Sequence, residues 1–118
     1  MRIIFALGAL TAVLLNTPSV AQAPIDEGVY KHYTRKGHPK AFAILGELVV
    51  LGPIQRLRKE AATYAASQPG CGKVMWSELS QDETTSTKWV VYADCQNGMR
   101  YYVDWDGRKW SKKNPPWN

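Results

Sequence analysis

The chain has 118 residues, 45% of them apolar, and its 15 Lys and Arg against 10 Asp and Glu give a formal net charge of +5. The apolar share excludes wholesale disorder, and the length is too short for two cores. A mild basic excess admits anionic partners such as lipid headgroups, cell-wall polymers or an acidic protein, but the same balance also simply keeps a small domain soluble.

Residues 1–23 read as a cleavable signal peptide. Arg2 supplies a positive start, residues 3–15 form an apolar run of about 13 residues, and Ala21-Gln22-Ala23 has the small-x-small pattern of a cleavage site. The run falls short of the roughly 20 apolar residues a spanning helix requires, so no transmembrane segment is expected in the mature chain. Cleavage after Ala23 leaves a single domain over residues 24–118, periplasmic or secreted, with a net charge of about +4 once Arg2 is gone. No cysteine near the cleavage point offers a lipid anchor.

The mature part carries both cysteines, Cys71 and Cys95. An oxidising compartment turns such a pair into a disulfide, and closing a loop of about 25 residues stabilises a fold by roughly 3.5 kcal/mol in the chain-entropy model. The close Cys-x-x-Cys spacing of a redox dithiol is absent, which favours a structural bridge.

In chain order, residues 24–39 are polar and without period, and read as an extended arm or loop. Residues 40–51 are apolar and ambiguous: Phe42, Leu45 and Val49 suit a helix, β-branched Ile44, Val49 and Val50 suit a strand, and Gly46 can interrupt either. A helix is the better reading. Residues 53–67 give the clearest helix, with Pro53 in the first turn, Ile54, Leu57, Ala61 and Tyr64 at helical spacing, and Gln68-Pro69-Gly70 as the stop. Arg56, Arg58, Lys59 and Glu60 are expected mostly on its solvated face.

After Cys71 the period changes to that of strands, over residues 73–79, 88–95 and 99–105, with a polar loop at 80–87 and a turn at Gln96-Asn97-Gly98. A three-residue loop with Gly98 left-handed pairs Cys95 with Met99, Ala93 with Tyr101, Val91 with Val103 and Trp89 with Trp105, making one apolar face. The other face then sets Asp94 against Arg100 and Lys88 against Asp106. The fold class is α+β: a helix or helix pair on a small antiparallel meander of three or more strands, with one disulfide.

Chemistry is sparse. His32 and His38 match no zinc spacing, no Gly-x-Ser-x-Gly elbow or glycine-rich phosphate loop is present, and Asp104-Trp105-Asp106-Gly107 lacks the terminal acid of a calcium loop. No metal, cofactor or catalytic residue is expected. The stretch with most functional content is the C-terminal run, which interleaves Trp105, Trp110 and Trp117 with Arg108, Lys109, Lys112 and Lys113. Aromatics beside cations stack on rings and hold anions, although such a run is also what a basic tail folded back on a sheet edge looks like. Nucleic acid is not expected, because a single-strand binder spreads these residues over a sheet face rather than at one end.

The stretches Cys71-Gly72-Lys73-Val74 and Asp94-Cys95-Gln96-Asn97-Gly98-Met99-Arg100-Tyr101-Tyr102-Val103 resemble a group of short exported bacterial proteins of unknown function. These share a signal peptide, an alanine-rich helix ending near a cysteine, and a second cysteine before an Asn-Gly turn. The likeness covers residues 53–103 and implies an exported setting and a structural disulfide, with no activity attached. A weaker similarity, to periplasmic inhibitors of lysozyme, raises inhibition as a class and transfers no residues.

Three functions fit such a sequence. The first is a non-enzymatic exported domain that binds a protein or anionic envelope component through its aromatic, basic sheet end. The second is an inhibitor of an envelope hydrolase, inserting the 80–87 loop into a cleft. The third, a small hydrolase, requires a pocket with converging polar side chains.

Overall fold

The computed structural model describes residues 22–107 and the strand Trp110–Lys113. The rest of the expected signal peptide lies outside the described residues, as do Arg108, Lys109 and Trp117.

Four strands form one antiparallel sheet in the order β1 (Val74–Leu79), β2 (Trp89–Cys95), β3 (Arg100–Trp105) and β4 (Trp110–Lys113). Two helices lie with it, α1 (Pro39–Leu45) and α2 (Gln55–Ala66). Pro39 stands in the first turn of α1, where its missing N–H costs nothing, and Gly46, at φ 82°, ends the helix by donating its N–H to Phe42 O. A further helical turn, Glu47–Val49, leads into a widened π turn, Val50–Ile54. Pro53 explains that widening: it has no N–H and its ring crowds the carbonyl four residues back. The expected single start at Pro53 thus becomes a bulge ahead of α2.

The buried stripe of α2 comprises Gln55, Leu57, Arg58, Ala61, Ala62, Ala65 and Ala66. Four alanines let the helix backbone approach the sheet closely, against Val91, Ala93, Tyr101 and Val103. The disulfide Cys71–Cys95, with Cα atoms 5.0 Å apart, ties the end of this helical layer to the β2–β3 turn.

The β2–β3 register is the one the apolar pattern predicts: Ala93 faces Tyr101, Val91 faces Val103, Trp89 faces Trp105 and Asp94 faces Arg100. The Cys95 N–H donates to Met99 O at 2.9 Å, and Gly98 has φ 88°. One cross-strand pair differs from expectation. Lys88 is not paired with Asp106 in the ladder, which ends at Trp89 and Trp105: its backbone closes the 80–87 loop with Thr85, and its Nζ lies 3.8 Å from Asp104 Oδ2.

Residues 24–39 are more than an arm. Pro24 O accepts from the Val74 N–H and the Asp26 N–H donates to Val74 O, which adds a bridge to the edge of β1. A 3-10 turn, Glu27–Tyr30, then places Val29 and Tyr33 in the core. The Ala23 N–H donates to Ala66 O, so the cleavage point expected after Ala23 falls inside a contact with the end of α2.

Candidate functional site

The sheet end below the start of α2 gathers tryptophans. Trp89 and Trp105 are directly paired across β2 and β3, and position 110 is paired with Trp105 across β3 and β4, so the three positions follow one another in the ladder. The strands deliver this row because each tryptophan occupies the same step of its ladder, with successive residues alternating between faces. Of the other residues expected at a binding surface, Lys112 stands opposite Val103 and Lys113 opposite Tyr102.

Above Trp89 and Trp105, the first turns of α2 complete a slot of about 320 Å³, lined also by Pro53, Arg56, Leu57 and Glu60. Leu57 is fully buried and both tryptophans are half-buried, while Arg56 and Glu60 are exposed on the rim. Although one helical turn separates them, they form no ion pair with each other or with any other described residue. A shallower depression of about 270 Å³ continues along the helix past the same two side chains to Lys59 and Thr63.

The sheet face away from α2 carries a second cluster. Arg100 donates from Nε and Nη2 to the two oxygens of Asp94 at 2.7 and 2.9 Å, and its guanidinium lies 3.8 Å from the centre of the Tyr92 ring. The Asp94 bridge holds the guanidinium's pKa above its ordinary value. Trp76 Nε1 also donates to Asp94, and burial pushes the Tyr92 phenol up. On one side of Arg100 lies an open depression of about 490 Å³ bounded by Met75 and Trp76, and on the other one of about 440 Å³ bounded by Tyr92, Tyr102 and residues 80–83.

Its polar groups are largely spent on one another. Lys40 reaches Asp82 at 3.2 Å, and Ser80 Oγ donates to Glu83. The 80–87 loop itself is braced by buried Thr84, whose Oγ1 accepts from the Val90 N–H, and by backbone bonds that the Ser80 N–H donates to Val90 O and the Thr85 N–H to Lys88 O.

A third cluster lies under the N-terminal segment. Arg58, expected on the solvated face of α2, is buried. It donates to Ser77 O, Lys31 O, Val29 O and Gln55 Oε1 at 2.8–3.0 Å, and its guanidinium lies 4.1 Å from the Tyr33 ring centre. Tyr33 donates to Glu78, accepts from the Leu79 N–H and stacks on His38. Burial first, then the bond to Glu78, pushes the Tyr33 phenol far above its ordinary value.

Sequence reasoning located one tryptophan of the slot, Trp105, but not Arg56, Glu60 or Trp89 as its companions. The available signal was the predicted pairing of Trp89 with Trp105. Among the described residues no group of acids, histidines or cysteines is placed to hold a metal ion, and no helix is long and apolar enough to cross a membrane. No family model, curated protein or solved structure matches the chain.

Proposed function

We propose that the protein is an exported, non-enzymatic binding domain that holds a component of the cell envelope at the tryptophan end of its sheet. The observation that carries this reading is the slot itself: an aromatic floor on rigid strands under a rim of two charges that pair with no described residue. A disulfide that closes the fold fits an oxidising compartment, and the signal-like N-terminus points the same way. Non-enzymatic action fits the way the polar groups of the outer face are engaged with one another.

The test is co-sedimentation of the purified protein with an isolated envelope fraction. Binding is expected, with at least a ten-fold loss for Trp89→Ala in a variant whose circular dichroism is unchanged. Equal sedimentation of the folded variant would remove the tryptophan end from the reading.

A second reading, inhibition of an envelope hydrolase such as lysozyme, draws support from the 80–87 loop. It is braced at its base and presents Asp82, bridged to Lys40 with its side chain 94% exposed, as a preorganised loop offered to a cleft would. That reading requires a cell-wall clearing assay to show inhibition that Asp82→Lys abolishes. No inhibition by the native protein ends it.

A further inference from the structure

We infer that the slot between α2 and the Trp89–Trp105 pair takes a neutral sugar ring of an oligosaccharide. This rests on the envelope-binding reading above and names the chemistry of the ligand.

The floor selects a ring. Trp89 and Trp105 lie side by side as a cross-strand pair, backed by Leu57 and walled by Pro53. The negative π-face of an indole attracts the weakly positive C–H edge that a pyranose presents from its flat side. The rim selects the charge. Arg56 opposes a cationic ligand, Glu60 opposes an anionic one, and neither is neutralised by a described partner.

A sugar satisfies both at once, because each hydroxyl donates and accepts: it donates to the Glu60 carboxylate and accepts from the Arg56 guanidinium. An aromatic peptide side chain fills the same volume, but leaves the two charges partly desolvated with no partner. The adjoining depression shares Arg56 and Glu60 and adds Lys59, which is engaged elsewhere, and Thr63, which provides for a second unit of a chain. An oligosaccharide therefore fits better than a single sugar.

The experiment titrates the full protein with neutral tetrasaccharides, of β-1,4-linked glucose and of β-1,4-linked N-acetylglucosamine, and reads tryptophan fluorescence and amide NMR shifts. At least one tetrasaccharide is expected to saturate, with shifts centred on Trp89 and Trp105. Trp89→Ala and the exposed-site double variant Arg56→Ala, Glu60→Ala should each weaken binding at least ten-fold, and Trp76→Ala on the opposite face should leave it unchanged. The double variant changes only surface residues, so it keeps the test intact if Trp89→Ala does not fold.

Saturation untouched by the double variant overturns the inference, as does tighter binding of an uncharged phenylalanyl tripeptide than of either sugar. If neither sugar binds while the envelope fraction still sediments the native protein and not Trp89→Ala, the sugar is wrong and the envelope reading stands. If neither binds and nothing sediments, both fall.

Discussion

Arg58 and Arg56 sit two residues apart on one helix and do unrelated things. Arg58 is 3% exposed, and among the described residues its partners are all uncharged oxygens. A buried guanidinium is tolerable there because each of its three nitrogens donates to at least one of four acceptors and its plane meets an aromatic face. Arg58→Met should cost about 3 kcal/mol or more in urea unfolding, since each stripped buried acceptor costs roughly 1–3 kcal/mol when left unsatisfied. Arg56→Met should stay within about 0.5 kcal/mol, as surface changes do. Equal costs would refute a buried, fully engaged Arg58. Tyr33 adds a pH dependence. Its phenol is held neutral in the folded state above the ordinary value of 10.0, so its stabilisation is complete below that pH. As pH rises past it, the unfolded phenol ionises and the folded one does not, and stability falls. Tyr33→Phe should flatten this alkaline decline in denaturant midpoints measured upward from about pH 9.5. Tyr92, raised in the same direction, leaves a residual slope. An unchanged slope in the variant would assign the effect elsewhere.

At the scale of elements, the hairpin was readable because a strand alternates strictly. Only one register puts Cys95, Ala93 and Val91 on the same side as Tyr101 and Val103, and only a left-handed residue at Gly98 closes it. Gly98→Val should therefore destabilise by about 1–2 kcal/mol, the cost of a left-handed conformation, with a greater penalty from β-branching. Gly52→Ala, in the π turn where a Cβ meets nothing within 4 Å, should instead stabilise by about 0.5 kcal/mol. Thermal midpoints moving in the same direction would contradict this account. The misread elements fail for one shared reason: their partners are distant in sequence. Position 58 falls on the same helical arc as Ile54, Ala61, Ala62 and Ala65, so the period pointed inward while the residue type pointed outward. What decided the matter were carbonyls of Val29, Lys31 and Ser77, which no local pattern announces. The same contacts explain why residues 24–39 looked like an arm, and why the edge of β1 is closed at Val74 by backbone, at Ser77 by Arg58 and at Leu79 by Tyr33. The slot was half legible, since the pairing of Trp89 with Trp105 followed from register, whereas Arg56 and Glu60 reach it only once α2 is laid on the sheet.

At the scale of the whole molecule, the disulfide joins the two layers at one end and the tryptophan row lies at the other end of the same strands. Reduction should lower unfolding free energy by roughly 3.5 kcal/mol, the loop-closure value for a separation of 24 residues, with a small effect on sugar affinity when the fold is still populated. Charge separates the two ways this end can bind. The chain carries a net +5, and much of the excess falls in the C-terminal run of Arg108, Lys109, Lys112 and Lys113, whereas the slot holds one cation and one anion, Arg56 and Glu60. Attachment through the run to an anionic polymer is an exchange of ions, so its affinity should fall ten-fold or more between about 50 and about 500 mM salt. A sugar seated between Arg56 and Glu60 presents no net charge to screen, and its affinity should change less than about two-fold over that range. Fluorescence titrations of a neutral tetrasaccharide at the two salt concentrations read this directly. A steep decline for the neutral sugar would place its binding on the cations of the run and empty the slot of its proposed ligand.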